Sequence, residues 1–228
     1  MKNPRVITML LALIALAMVV LAGPGTKHGW WPWDIGFTVI KWGTYVGFVA
    51  AACALILVLM LAVPRWRARP WVPVTALVIA LVAIAPPLIV RNQARGVPPI
   101  HDITTDTADP PALRVGTAYG GAAVAAQQQQ AYPDIKPLVV KAPPAEAVQS
   151  AIDAARSLGW EIVSSEAAAG RIDAVATTWW WGFKDDIAIR VRPEGTGSRV
   201  DIRSVSRVGR SDLGANAKRI REFLAKLG

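Results

Sequence analysis

The chain has 228 residues, 53% of them hydrophobic, and a formal net charge of +9. Residues 1–90 hold seven Lys or Arg and one Asp, which leaves 18 basic and 15 acidic residues for 91–228, out of 25 and 16 in all. That net charge of +3 is too weak to predict a nucleic-acid-binding domain. The single cysteine, Cys53, excludes an intramolecular disulfide and a Cys-based metal site after residue 90.

Three uncharged apolar runs lie in the first part of the chain, at 6–22, 43–63 and 71–90. Each has about the length that a helix needs to cross a ~30 Å hydrocarbon core. Helices of soluble proteins rarely lack a charge on every face, so the runs predict a membrane anchor over 1–90. The first run ends in a Val-Leu-Ala sequence that also fits a signal-peptide cleavage site, and cleavage there leaves the topology of the rest unchanged.

Basic residues around these runs predict an orientation. Lys2 and Arg5 precede the first run, and the loop PRWRARP between the second and third carries Arg65, Arg67 and Arg69. The positive-inside rule therefore places the N-terminus and this loop in the cytoplasm. Three spans of an inner (cytoplasmic) membrane then place everything after residue 90 in the periplasm.

The opposite ends of the spans carry aromatic and proline signals. Tryptophans cluster there as an interfacial aromatic belt does: Trp30, Trp31, Trp33 and Trp42. The pair Pro86-Pro87 predicts a kink or an end of the third helix.

The rest of the chain predicts a linker and one α+β domain. Residues 91–134 are rich in Pro, Gly, Ala and Gln without a sustained period, which predicts an extended linker. Residues 135–228 alternate between strand and helix patterns. Strands are expected at 135–142, 160–166, 171–181, 186–192 and 199–206, and helices at 145–158 and 212–227. The economical fold is an antiparallel sheet of four to five strands, covered on one face by two helices.

Alternation along the last two strands fixes their pairing. If their aliphatic residues face the core, Val191 pairs with Val200 and Ile189 with Ile202. The opposite face then pairs Arg190 with Asp201. On that face Asp186 is also expected to lie diagonally near Arg203 or Arg207, which completes an exposed ion-pair ladder. Each exposed pair contributes typically ~0–1 kcal/mol.

Several motifs of residues 98–228 resemble a known family. They are IHDITTD with the following DPP, YPDIKPL, LGWEIV, TTWWWGFKDDIAIR and SRVDIRSVSRVGRSDLGANAKRIR. Together they resemble the bacterial family catalogued as domain of unknown function 1499. The resemblance implies an envelope or membrane-associated protein, and it implies no catalytic residue because the family has no assigned activity.

The first candidate site is the run of Arg and Ser before the last helix. Free N–H groups at a helix N-terminus favour an anion, and arginine adds bidentate geometry. The candidate ligand-binding residues here are Arg203, Arg207, Arg210, Ser211, Asn216 and Arg219. The alternative is a helix cap at Ser211 or Asp212, with the arginines paired to nearby aspartates.

The second candidate feature is the tryptophan triplet that precedes Asp185-Asp186. Strand alternation puts at least one tryptophan on the non-core face. Trp179 and Trp181 are therefore candidates for contact with a ligand or with the membrane interface, and packing in the core or against the linker is the alternative. Asp186 is a further candidate ligand-binding residue. Adjacent strand residues point to opposite faces, so Asp185 and Asp186 do not share one ion.

Catalytic signals are weak. No Gly-x-Ser-x-Gly, His-Glu-x-x-His or phosphate-cradling Gly loop occurs, so neither a cofactor nor a metal is expected. His101 is the sole histidine after the predicted spans. The sequence favours a non-enzymatic module that binds an anionic envelope lipid or polymer, or another membrane protein. The alternative is a hydrolase that uses Asp102 or Asp106 with Asp185 or Asp186.

Overall fold

A computed structural model describes residues 3–63, 69–114 and 118–228. The chain divides into two compact units. The first comprises Met1–Gln93 together with the segment Trp179–Gly182, and the second comprises Ala94–Thr178 and Phe183–Gly228.

The part of the first unit that the structure describes contains three helices, α1 (Pro4–Lys27), α2 (Trp33–Met60) and α3 (Trp71–Ala94). All three are long and apolar enough to cross a membrane, which confirms the three predicted N-terminal helices. Pro86 and Pro87 lie inside α3, so they do not end this helix. Arg65 and Arg67 of the predicted cytoplasmic loop lie outside the described residues.

Packing within this unit is the reverse of packing in a water-soluble bundle. Alanines of all three helices form the buried cluster: Ala12, Ala50, Ala54, Ala76 and Ala80. Large aliphatic side chains such as Leu10, Leu59 and Val78 are half or more exposed. Small residues let helix backbones approach closely where lipid solvates the outer surface, so this distribution is typical of membrane helices.

In its described residues, the second unit is a six-stranded antiparallel sheet with three α-helices. Its elements are β1 (Asp102–Thr104), α4 (Gly121–Ala131), β2 (Leu138–Val140), α5 (Pro144–Ser157), β3 (Glu161–Glu166), β4 (Arg171–Thr177), β5 (Lys184–Glu194), β6 (Gly197–Ser206) and α6 (Ala215–Leu227). The strand order is β1-β6-β5-β4-β3. β2 also pairs with β6, so β1 and β2 share one edge of β6 end to end.

One face of the sheet is the core side. Ile187, Ile189 and Ile202 are at most 1% exposed there, and Ala217, Ile220 and Phe223 of α6 are fully buried. The small side chains of α5 pack in the same cluster, and Trp160 stacks on Phe223 with the ring centroids 5.4 Å apart. The predicted α+β fold is confirmed, and the Val191–Val200, Ile189–Ile202 and Arg190–Asp201 pairs occur in the β5–β6 register.

The segment 91–134, predicted to be an extended linker, holds β1 and α4. Gln128, in the QQQQ tract, is 1% exposed. Its side-chain oxygen accepts from the backbone N–H of Thr104 at 2.9 Å, and its Nε2 donates to the carbonyl of Thr104 at 2.6 Å. The side-chain amide of Gln128 therefore satisfies the backbone N–H and C=O of Thr104 on the free edge of β1. The sequence had predicted that this tract is a spacer.

Two predicted boundaries shift. β4 ends at Thr177, four residues before the predicted end at 181. α6 begins at Ala215, because Leu213 and Gly214 before it have φ of +56° and +81°, outside the helical region.

Candidate functional site

The face of the sheet opposite α5 and α6, here called the polar face, is built around Asp201. The sequence predicted an exposed ladder, but Asp201 is fully buried. Its Oδ2 accepts from Arg190 Nη2 at 3.1 Å and from Arg192 Nη2 at 2.9 Å, and its Oδ1 accepts from Arg199 Nε at 3.0 Å. One carboxylate therefore holds an arginine cluster formed by Arg190, Arg192 and Arg199.

The prediction of exposure was wrong because residues 105–111 fold over this face. Asp106 Oδ2 accepts from Arg199 Nη2 at 2.8 Å. Asp109 Oδ2 accepts from Arg190 Nη1 at 3.0 Å and from Arg192 Nη1 at 3.2 Å. The three arginines and three aspartates thus form a network that is neutral overall.

Arg203 pairs with Asp102 of β1 and not with Asp186. The pair is bidentate, with 2.9 Å from Nε to Oδ1 and 2.8 Å from Nη2 to Oδ2, and both residues are buried. The guanidinium also lies 5.5 Å from the ring centroid of Tyr119. The Tyr119 hydroxyl is buried without a hydrogen-bond partner among the described residues, and burial raises its pKa to about 12.

Arg207 pairs with Asp186, which the sequence placed near either Arg203 or Arg207. Its Nε donates to Asp186 Oδ2 at 2.9 Å and its Nη2 to Oδ1 at 2.6 Å, on the half-exposed end of β5. Hydrogen bonding to Asp186 raises the pKa of Arg207. The Nε and Nη2 groups of Arg207 thus both donate to the carboxylate of Asp186.

The N-terminus of α6 is capped from within the chain. Asp212 Oδ2 accepts from the backbone N–H of Asn216 at 2.7 Å, and its Oδ1 accepts from Gly214 N–H at 2.9 Å. These are N–H groups that an external anion would use. The start of α6 is therefore capped, as in the alternative to an anion site, and the side chain of Asp212 supplies the cap.

Asn216 and Arg219 join a polar cluster at the end of the core. Asn216 is fully buried, and its Nδ2 donates to Ser206 Oγ at 3.0 Å. Arg219 Nη2 donates to Asp185 Oδ2 at 2.6 Å, and Nη1 donates to Asn216 and to Ser204 Oγ. Burial raises the pKa of Asp185, against the opposing effect of Arg219. The cluster ties β5 and β6 to α6.

Residues 207–214 form a loop, here called the junction loop. Two of its large side chains take no part in the helix cap or in the polar cluster. Arg210 is exposed and forms no ion pair or hydrogen bond with any residue that the structure describes. Leu213 is 44% exposed although its backbone is left-handed. Ser211 between them accepts from the N–H of Leu213 at 3.3 Å. Arg210 was among the candidates that the sequence predicted, whereas Leu213 was not, because local propensity gives no signal for a leucine at positive φ.

The tryptophans lie in the first unit. Trp179 is 82% exposed, whereas the ring of Trp181 lies 4.8 Å from that of Phe37 in α2. Neither belongs to a strand, because β4 ends before them.

The carboxylates of the hydrolase alternative are held by different arginines. Asp102 binds Arg203, Asp106 binds Arg199, and Asp185 and Asp186 point to opposite faces of the sheet. The Nδ1 of His101 lies 3.0 Å from the carbonyl oxygen of Ser206. Within the part of the chain that the structure describes, no three His, Cys, Asp or Glu residues are grouped as metal ligands. The geometry assembles no acid–base pair from these residues.

Comparison with known proteins gives one family match. The family model described as "Protein of unknown function (DUF1499)" matches residues 102–227, more than half of the chain. No curated protein matches the sequence.

Proposed function

Since the chain belongs to the DUF1499 family, whose function is unknown, we propose a role from its own geometry. The α+β domain is a non-enzymatic module that binds an anionic component of the cell envelope. The three helices anchor it in the inner (cytoplasmic) membrane.

The proposed topology has the N-terminus in the cytoplasm and the domain in the periplasm. Arg5 lies in the first turn of α1, and the sequence between the second and third helices carries Arg65, Arg67 and Arg69. Cytoplasmic loops are enriched in such residues. An odd number of spans then carries the domain to the other side.

Arg210 is the observation that carries the binding proposal. Arg207 and Arg219 on either side of it already hold carboxylates, whereas Arg210 is exposed with no such partner among the described residues. A guanidinium without a partner on a loop favours phosphate or carboxylate groups. Binding requires no displacement of an internal aspartate at this position.

Leu213 supports the same surface. A left-handed backbone costs a non-glycine residue about 1–2 kcal/mol, and such strain is concentrated at functional sites. Here the residue with the left-handed backbone is apolar, is 44% exposed and lies three residues from Arg210. The junction loop thus offers a cation beside an apolar group, which suits an anionic lipid or an acidic polymer.

Binding of phosphatidylglycerol and of polyglutamate to the purified full chain tests this proposal. We expect native mass spectrometry to detect at least one of these probes bound to the wild type. Arg210→Gln should weaken that probe roughly fivefold, because a surface arginine contributes about 1 kcal/mol to binding an anionic surface. Phosphatidylethanolamine, which has no net charge, should bind equally to both proteins.

Arg156→Gln is the matched control, since Arg156 is an exposed arginine on α5 whose nearest carboxylate lies 3.9 Å away. It should bind both probes as the wild type does. The proposal fails if neither anionic probe binds above phosphatidylethanolamine, or if the two variants are indistinguishable. Loss with one probe alone identifies the ligand as lipid or as polymer.

A further inference from the structure

The segment Trp179–Gly182 follows β4 and precedes β5 in sequence, yet it belongs to the first unit. Lys27, the last residue of α1, donates from Nζ to the carbonyl of Trp179 at 2.8 Å. The bond reaches across 152 positions of sequence. A long-range contact therefore fixes the backbone of this segment at the C-terminal end of α1.

Two indole rings of the segment occupy spaces that glycines leave open on the helices. A Cβ on Gly23 of α1 would lie 2.7 Å from Cε2 of Trp180, and one on Gly36 of α2 would lie 2.9 Å from Cζ3 of Trp181. Real Cβ atoms essentially never approach so closely. Glycine at both positions is therefore what permits Trp180 and Trp181 to pack between the ends of α1 and α2.

Trp179 differs from its two neighbours because it packs into neither space. It is 82% exposed, the largest exposure among the large hydrophobic side chains of the described residues. Trp30 and Trp33, at the same ends of α1 and α2, are also exposed, at 62% and 42%. These three indoles give one end of the α1–α2 pair an exposed aromatic surface.

Tryptophan prefers the lipid–water interface, where its ring contacts apolar chains and its N–H remains solvated. The helix ends that carry this surface are the ends of candidate membrane spans. We propose that the segment Trp179–Gly182 is an interfacial anchor and that Trp179 contacts lipid at the membrane surface. The inference rests on the proposed membrane-spanning role of the helices, and it is independent of ligand binding at Arg210.

Site-directed spin labelling tests the anchor in the full chain reconstituted in phosphatidylethanolamine and phosphatidylglycerol vesicles. A Cys53→Ala background leaves no other thiol. Labels are introduced by Trp179→Cys, Arg156→Cys and Val49→Cys, all at exposed positions. Collision with oxygen, which concentrates in lipid, is compared with collision with a water-soluble nickel complex.

We expect the ratio of oxygen to nickel collisions at 179 to exceed the ratio at 156 severalfold and to fall below that at 49 in α2. A ratio at 179 equal to that at 156 overturns the anchor, because the label is then in water. Low collision rates with both reagents at 179 also overturn it, because the label is then covered by protein. If 49 also reports water, the membrane-spanning premise has failed instead, and the anchor fails with it.

Discussion

Replacing Asp201 with alanine should lower the free energy of unfolding of the β5–β6 region by about 3–5 kcal/mol, the cost of removing one partner of a buried ion pair. Asp201 is fully buried, and its two oxygens accept from Arg190, Arg192 and Arg199. Without it, three guanidinium groups remain close together with Asp106 and Asp109 as their carboxylates. Repulsion among the arginines and their lost hydrogen bonds both favour unfolding.

Hydrogen exchange followed by mass spectrometry measures the free energy of unfolding of the β5–β6 region in the full chain. Amides of β5 and β6 should exchange about 100- to 4,000-fold faster in Asp201→Ala, since each 1.4 kcal/mol is a factor of ten. Asp153→Ala is the control, because Asp153 is 62% exposed and 3.9 Å from Arg156, and exposed pairs contribute ~0–1 kcal/mol. Equal exchange rates in the two variants would show that the network does not stabilise the sheet.

Arg203→Leu should also lower the free energy of unfolding by about 3–5 kcal/mol, because it leaves the Asp102 carboxylate buried without its partner. Arg203 is 3% exposed, and its bidentate bond joins β6 to β1. Protection of the β1 amides should be lost first, since β1 is three residues long and lies at the edge of the sheet.

The double variant Asp102→Asn with Arg203→Leu separates pairing from packing. With both charges removed, no uncompensated buried charge remains, so stability should recover partly relative to Arg203→Leu alone. A strictly additive loss would show that the two residues contribute separately, contrary to the geometry.

The core side of the sheet follows from the sequence because it depends on local alternation. Ile187, Ile189 and Val191 on one strand and Val200 and Ile202 on the next dictate the register, and that register occurs. The three N-terminal helices are equally predictable, since length and lack of charge suffice to identify them.

The polar face could not be derived in the same way. Arg203 and Asp102 are 101 positions apart, and Arg190 and Asp109 are 81 apart. Both contacts depend on a segment without periodicity that folds over the sheet. The sequence therefore predicted an exposed ladder where the structure has a covered network.

The candidate ligand-binding residues fall into two groups, those with partners inside the domain and the exposed Arg210, and the local sequence does not separate them. Arg203, Arg207 and Arg219 bind carboxylates of the domain itself, and Asn216 is buried among polar groups. The strand register placed Asp186 near either Arg203 or Arg207, and the structure pairs it with Arg207. The sequence did not distinguish Arg210 from the other arginines of the run, because all of them lie among similar Ser, Gly and Asp residues.

The orientation of the chain is the premise on which the proposed periplasmic role depends, and C-terminal fusions at Gly228 test it most directly. Alkaline phosphatase, which is active only after export, should be active on the full chain, whereas green fluorescent protein, which folds in the cytoplasm, should remain dark. An inactive phosphatase together with a bright fluorescent fusion would place the domain in the cytoplasm and contradict the account.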